Sequence, residues 1–287
     1  MMFDPDQFAK ITVPSDNPRQ AAKHSDIKKI ANDVFMVRGA MPSAPGRPIW
    51  ERLFLRYSRT MTVVRHHSPD GGSDLTLINT MRLSPAGLEA LTGMGRIRNI
   101  VRLGAFHGVD DAFYVSEFGA DYWQVEGMQP ATDYRGEVRT MSESSLPIPD
   151  AKLFCFEGLN YPEAILLLPA QQDRPGVAIT TDSIQNHTSA WDPDNSFLVS
   201  MAIKRIGLLG PARLGPVWLR DQVPANKNAP ELTGAVKKKN MTSFFRPQFQ
   251  RLLHDFDFDM LVPGHGWPVM KDAKAAVRAS IEKQLSD

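Results

Sequence analysis

The chain of 287 residues contains a single cysteine, Cys155, and this scarcity excludes several kinds of site. A disulfide within the chain is impossible, and zinc sites built from Cys-x-x-Cys pairs are excluded as well. Cys155 stands in the apolar segment 152–156, which predicts a buried strand. We therefore expect its thiol to be a core group rather than a nucleophile.

Long apolar runs and an excess of charge of one sign are also missing. No stretch of about 18 apolar residues occurs, which predicts the absence of a membrane span. Residues 1–6 do not combine a basic region with an apolar one, so we expect no secretory signal and a cytoplasmic location. The formal net charge is +1, so neither nucleic acid nor an anionic membrane surface is an expected partner.

The composition, 42% hydrophobic and 23% charged, is typical of a globular protein. Residues 1–25 are polar and contain prolines, and they predict an irregular arm before one domain over residues 26–287. Strands dominate, and several neighbouring strands lack an intervening helix. This order predicts an α+β fold of four layers, an αββα sandwich with two sheets face to face and helices outside. Asn32-Asp33 predicts the turn of a hairpin over residues 27–38, and Ser84-Pro85 predicts the capped start of a helix.

Apolar spacing predicts a core helix over residues 197–209, whose core side chains are those of Phe197, Leu198, Met201, Ile206 and Leu209. Four prolines predict mostly loop over residues 210–240: Pro211, Pro216, Pro224 and Pro230.

Three apolar stretches each run into polar residues that can bind a metal. Site residues are commonly presented from loops at the ends of rigid elements, so these positions are candidates for one shared site. The stretches, with the residues that follow them, are 97–102 (His107, Asp110 and Asp111), 177–181 (Asp182) and 260–262 (His265).

His107, Asp111, Asp182 and His265 together offer two imidazoles and two carboxylates. This ligand set suits zinc, iron(II) or manganese. Two aspartates would neutralise a divalent ion, and three protein ligands would leave a position open for catalysis. His187, five residues after Asp182, is a candidate for an additional ligand or a proton carrier, or else a polar residue of its loop.

Each of these residues also has a structural interpretation without a metal. Asp111, or Asp110 beside it, can cap a helix. Asp182 can satisfy the backbone amides of a tight turn, and His265 can be a turn residue, since histidine tolerates unusual backbone angles. His107 can be a hydrogen-bonded core histidine. A metal site is therefore one of two interpretations of the same residues.

Four segments resemble those of the metallo-β-lactamase superfamily, in the same order along the chain. Together they span roughly residues 27–270, and the last two are the more specific. The segments are residues 28–38, similar to the opening hairpin of the family; the block around His107; residues 176–182, similar to the strand that delivers the bridging aspartate; and residues 262–266, similar to the loop that carries the last histidine.

The main motif of that family, His-x-His-x-Asp-His, is incomplete in this chain. With His107 in the first place, the second histidine is replaced by Val109 and the closing histidine by Ala112, while Asp111 keeps the aspartate. A further histidine is expected around Leu159, where none is present. The resemblance therefore implies a metal site that has lost several ligands.

The resemblance implies that Asp111, Asp182 and His265 face the second metal of the family, that Asp182 bridges, and that His107 belongs to the first metal. We expect a metal-dependent hydrolase of esters, lactones or thioesters that holds at most one ion. Its catalytic residues would be His107, which orients the attacking water or completes the ligand shell, and Asp111. Zinc is the first candidate for the ion, followed by iron or manganese.

Two rival functions fit the same residues. A metal-free small-molecule-binding protein on the same fold is suggested by the apolar residues Val109, Ala112 and Leu159 at positions where ligands belong. An iron-dependent oxidoreductase fits the ligand types. Metal content and the response of thermal stability to chelation distinguish these alternatives.

Overall fold

The computed structural model describes residues 23–41, 56–68, 70–129, 134, 136–189, 191–227 and 231–286. The chain forms two compact units: Met1–Pro149 with Pro193–Val199, and Asp150–Asp192 with Ser200–Asp287. Of the predicted arm, residues 1–22 lie outside the described residues, and His24 pairs with Gly39. The single domain expected over residues 26–287 stays a prediction.

The first unit contains a seven-stranded sheet whose strands lie side by side in chain order. Strands β1 to β4 pair antiparallel, and β4 to β7 pair parallel. The predicted turn in the first hairpin lies at Asn32-Asp33, where Asp33 has a φ of 56°. The strands are β1 (Lys28–Ala31), β2 (Val34–Ala40), β3 (Ser58–His67), β4 (Ser73–Ile78), β5 (Arg96–Arg102), β6 (Asp121–Gln124) and β7 (Val138–Thr140).

Two helices connect the parallel strands of this unit, α1 (Pro85–Thr92) and α2 (Asp111–Phe118). The side chain of Ser84 accepts a hydrogen bond from the Gly87 amide at 3.3 Å and so caps α1 as the sequence predicts. Gly119, with a φ of 63°, ends α2 in the left-handed conformation that glycine adopts without strain. Local signals therefore set the bounds of both helices.

The second unit contains a four-stranded sheet in the order β13-β10-β9-β8 and a two-stranded sheet of β11 and β12. β10 and β13 are parallel, and the other pairs are antiparallel. The strands are β8 (Lys152–Cys155), β9 (Ala164–Leu168), β10 (Val177–Ile179), β11 (Ile184–His187), β12 (Gly210–Leu214) and β13 (Met260–Val262).

Helix α3 (Phe197–Arg205) lies where the sequence predicts a core helix, but its buried residues are not the predicted ones. Phe197 and Met201 are 60% and 50% exposed, whereas Val199 and Ile203 are 9% and 2% exposed. Both pairs have the i, i+4 spacing of one helix face. Apolar periodicity therefore identifies the helix, but the prediction that Phe197 and Met201 line the core is wrong.

The prediction that residues 210–240 are mostly loop is also wrong. This stretch contains β12, α4 (Pro216–Asp221), α5 (Pro224–Lys227) and the start of α6 (Gly234–Asp255); α7 (Ala273–Gln284) follows β13. Pro216 and Pro224 are first residues of helices, where the missing amide costs no hydrogen bond.

Among the helices of the described residues, none combines the length and the apolar character needed to cross a membrane.

Aromatic side chains form much of the core of the second unit. The ring centroid of Trp218 lies 4.7 Å from that of Phe245 and 5.0 Å from that of Phe156. Leu159 packs against the same core. These contacts join α4 and α6 to the four-stranded sheet that carries Asp182 and His265.

Candidate metal centre

Asp182 and His265 lie just beyond the ends of two neighbouring strands. In the parallel pair β10–β13, Ile179 stands opposite Val262, so the chain leaves both strands at the same edge of the sheet. Oδ1 of Asp182 lies 3.1 Å from Nε2 of His265. The His265 side chain is 4% exposed and that of Asp182 is 19% exposed. Within the second unit, the structure thus brings Asp182 and His265, both predicted as ligands, into a largely buried pair.

The loop that carries His265 is fastened by Asn186. The Asn186 amide donates to the His265 carbonyl at 3.3 Å, and the Trp267 amide donates to the Asn186 carbonyl at 2.8 Å. The side-chain amide of Asn186 donates to the Trp267 carbonyl, also at 2.8 Å. Asn186 is 2% exposed. These bonds, at the His265 carbonyl and at Trp267, hold the backbone from which the imidazole projects.

The loop that carries Asp182 is held from its carbonyl side. Nε2 of Gln185 donates to the Asp182 carbonyl at 3.3 Å, and the Gly215 amide donates to the Ser183 carbonyl at 3.1 Å. The approach of Gly215 is so close that a Cβ at this position would lie 2.2 Å from the Asp182 carbonyl oxygen. Only glycine fits there, so the loop and the start of α4 are in direct backbone contact.

Glu163, which no sequence motif marks as a functional residue, holds the same loop from the other side. Its Oε1 accepts a hydrogen bond from the Ser183 amide at 2.7 Å, and the residue is 1% exposed. Burial, and to a lesser degree the nearby charge of Asp182, raises the pKa of Glu163 to about 8. In the sequence, Glu163 is only an acidic residue directly before the apolar run 164–168. Its role becomes visible only when the strand formed by that run pairs with its neighbour and brings Glu163 to Ser183.

His107 and Asp111 belong to the first unit, in the segment between β5 and α2. His107 is 8% exposed, and its amide donates to the Gly104 carbonyl at 3.0 Å. Asp111 is 1% exposed and accepts a hydrogen bond from the Thr80 hydroxyl. Burial raises the pKa of Asp111 above its usual range, against the opposing effects of Thr80 and the positive charge of Arg102. The roles predicted for His107 and Asp111 as ligands and catalytic residues stay predictions.

Asp110 occupies the N-cap position of α2, but its side chain does not cap the helix. The carboxylate forms a buried ion pair with Arg59 and accepts a hydrogen bond from the Arg82 amide at 3.0 Å. Asp111, the first residue of α2, is engaged by Thr80 instead. The interpretation of Asp110 or Asp111 as a helix cap is therefore wrong, and both carboxylates belong to a buried polar network instead.

His187 is the last residue of β11 and is 1% exposed, so the alternative interpretation of His187 as a polar loop residue is wrong. Its Nε2 lies 3.2 Å from Oε1 of Gln185. This contact links it to the residue that holds the Asp182 carbonyl. Its predicted role as an additional ligand or proton carrier stays a prediction.

The positions at which the family motif lacks ligands are occupied by apolar side chains. Val109 and Ala112 are half-buried, on either side of Asp110 and Asp111. Leu159 is half-buried and packs against the aromatic core of the second unit. A leucine that contributes to the core has taken the place where a histidine ligand is expected.

No protein-family model matches the chain, and no curated protein does either. Many solved structures do match it, and metallo-β-lactamases are among them. The crystal structure of VMB-1 at pH 5.5 is 11% identical with a TM-score of 0.51, and the match covers 91% of this chain and 99% of that one. The chain has the metallo-β-lactamase fold. The fold class predicted from the sequence is therefore confirmed, and at this identity the likeness extends to the fold alone.

Two other similar structures bear names that describe their metals. The metallo-β-lactamase FIM-1 from Pseudomonas aeruginosa, in its mono-zinc form, is 13% identical with a TM-score of 0.48, and the match covers 97% of this chain and all of that one. The H90A mutant of the flavo di-iron protein from Thermotoga maritima is 11% identical with a TM-score of 0.49, and the match covers 92% of this chain and 62% of that one.

Proposed function

We propose that this protein is a metal-dependent hydrolase with at most one firmly bound ion, held by Asp182 and His265. The observation that carries the proposal is the 3.1 Å approach of Oδ1 of Asp182 to Nε2 of His265. His107 and Asp111 are the further ligands that the sequence pattern assigns.

The pair fits a divalent ion in donor type and in spacing. A carboxylate oxygen and an imidazole nitrogen are ligands for zinc, iron(II) and manganese. Two such donors on one tetrahedral ion, each about 2.0–2.1 Å from it, stand about 3.3 Å apart. The observed separation of 3.1 Å is close to that value. Burial of His265 and the fastening of both loops hold the donors in place before an ion arrives.

The apolar residues at the three other motif positions support a single ion. Val109, Ala112 and Leu159 offer no donor atom in their side chains. A second ion would have to be held with the few remaining donors, which does not satisfy the usual coordination of zinc or iron. We therefore expect one equivalent of metal per chain.

A bound divalent ion acts as a Lewis acid that polarises a carbonyl group and activates water. Asp182 would supply the negative charge that such an ion requires, and Nε2 of His265 would be the neutral donor beside it. Hydrolysis of an ester, lactone or thioester forms a bond from water oxygen to the acyl carbon. It breaks the acyl–oxygen or acyl–sulfur bond and delivers a proton to the departing alkoxide or thiolate. In this scheme His107 would either complete the ligand shell or orient the water.

Activity assays on metal-free and metal-loaded protein test the proposal. We expect hydrolysis within a panel of esters, lactones and thioesters that rises with added zinc, saturates near one equivalent and is lost on chelation. The His265→Ala variant should be inactive. The matched control is His254→Ala, because the side chain of His254 is 88% exposed and should leave hydrolysis unchanged. Hydrolysis that persists after chelation would contradict the proposal.

A metal-free small-molecule-binding protein is the second candidate. It is favoured by the direct contact between Asp182 and His265, which satisfies both groups without an ion, and by the core packing of Leu159. Under this alternative, zinc would not raise the melting temperature, whereas an ion that binds only the folded state would raise it.

A further inference from the structure

Glu163 is a buried acidic residue to which the proposed chemistry assigns no part. It immediately precedes β9, and it is 1% exposed. In the antiparallel β9–β10 ladder, Leu166 stands opposite Ile179. Continuing this register for three residues past the end of the ladder puts Glu163 opposite Asp182. Strand pairing therefore brings the acidic side chain to the loop that carries the proposed metal ligand.

The Ser183 amide has lost the sheet partners that would otherwise satisfy it. β10 ends at Ile179 and β11 begins at Ile184, so Ser183 lies in the turn between them. A buried amide without an acceptor is costly. Oε1 of Glu163 accepts from this amide at 2.7 Å. The backbone of Glu163 is itself anchored, because its carbonyl accepts from the Phe156 amide at 3.3 Å.

The carbonyl side of the same turn is held independently. Gln185 donates to the Asp182 carbonyl at 3.3 Å, and the backbone of Gly215 lies against it. The peptide group between Asp182 and Ser183 is therefore hydrogen-bonded at both ends: its oxygen accepts from Gln185, and its N–H donates to Glu163. The direction in which the Asp182 side chain leaves the backbone is then fixed, and that direction leads to Nε2 of His265.

The geometry points to Glu163 as a positioning residue that holds the Ser183 amide and thereby keeps the Asp182 carboxylate in its metal-binding orientation. This inference rests on the proposed metal site. It assigns Glu163 an effect on metal affinity and coordination that a residue serving only the packing of β9 would not have. The inferred role requires only an oxygen acceptor at the end of the side chain, so we expect glutamine at position 163 to serve as well as glutamate.

Titration with Co²⁺ alone, followed by its visible absorption, separates these roles. Wild-type protein, Glu163→Gln and Glu163→Leu are compared after removal of metal, with the affinity measured by competition against a chelator. The matched control is Gln222→Leu, because Gln222 is also 1% exposed in the same unit and accepts a hydrogen bond from a backbone amide, that of Tyr161, at 2.8 Å. Amide hydrogen exchange of Ser183 in the metal-free proteins is the second readout.

We expect Glu163→Gln to keep the wild-type cobalt spectrum and an affinity within about threefold of wild type, since glutamine retains the acceptor. Glu163→Leu should bind about tenfold or more weakly with an altered spectrum, an effect of the size seen when the partner that orients a metal ligand is removed. Gln222→Leu should bind cobalt like wild type. The Ser183 amide should be protected in wild type and Glu163→Gln and should exchange faster in Glu163→Leu.

Wild-type cobalt affinity and spectrum in Glu163→Leu would overturn the inference, and so would an equal loss in Glu163→Gln and Glu163→Leu. Equal Ser183 exchange in all variants would overturn it as well. Failure of the wild-type protein to bind cobalt would instead overturn the proposed function, and the inference would fall with it. The cobalt result for wild type thus distinguishes the two failures.

Discussion

The Asp182→Ala variant is expected to lose zinc affinity by about 100-fold or more while remaining folded, because loss of a direct ligand exceeds the 10- to 100-fold cost of losing a ligand's supporting partner. Alanine removes the charged donor of the pair, and the neutral imidazole of His265 that remains holds a divalent ion more weakly than the pair does. The side chain of Asp182 is 19% exposed, so its removal leaves no fully buried cavity. Competition with a chromogenic chelator measures the affinity.

Two further variants show whether the loss of zinc affinity comes from the charge of Asp182 and whether it is specific to this position. Asp182→Asn keeps an oxygen near His265 but removes the charge, so we expect an affinity between those of wild type and Asp182→Ala. Asp257→Ala removes an aspartate of the same unit whose side chain is 96% exposed and paired with Lys274, and it should bind zinc like wild type. A wild-type affinity in Asp182→Ala would remove Asp182 from the metal site.

Gly266→Ala is expected to lower the free energy of unfolding by more than about 3 kcal/mol, from the cost of a left-handed residue and the loss of neighbouring hydrogen bonds. Gly266 has a φ of 86°, and an added Cβ would lie 2.1 Å from the Asn186 carbonyl oxygen. The added Cβ is attached directly to the backbone and would meet a backbone carbonyl, so no side chain can move aside and the loop must separate from β11. The bonds by which Asn186 fastens His265 and Trp267 would then break, and metal affinity would fall with stability.

Gly207→Ala is the matched control for this variant. Gly207 has a φ of 74°, and an added Cβ there would meet no atom within 4 Å. We expect this variant to lose only about 1–2 kcal/mol, the cost of the backbone conformation by itself, and to bind metal normally. Urea unfolding of the metal-free proteins measures both losses. Equal losses in the two variants would show that the close approach of Gly266 to Asn186 does not exist in solution.

Much of the fold could be predicted because its signals are local. The Asn32-Asp33 turn and the Ser84-Pro85 helix start depend on residues adjacent in sequence, and both are confirmed. The same local reasoning fails where one signal has two meanings. Pro216 and Pro224 predict a loop by their composition alone but begin helices. The apolar spacing in α3 fits an exposed face as well as the buried one.

The surroundings of the site could not be predicted, because strand pairing creates them over long sequence separations. Glu163 meets Ser183 only after β9 pairs with β10, and Asn186 meets His265 only after the loop beyond β13 lies along β11. Neither residue stands in a motif. By contrast, Asp182 and His265 each stand three residues beyond the end of an apolar strand, which is a pattern that the sequence displays. The sequence thus predicts the proposed ligands but not the residues that orient them.

Elemental analysis of gently purified protein, in moles of metal per chain, tests the central claim most directly. We predict about one equivalent of zinc, iron or manganese in the wild-type protein, as expected for a single ion whose binding is coupled to the folded state. The Asp182→Ala variant, purified in parallel, should carry almost none. Absence of metal from the wild-type protein, even after incubation with zinc and removal of the excess, would contradict the claim that Asp182 and His265 form a metal centre.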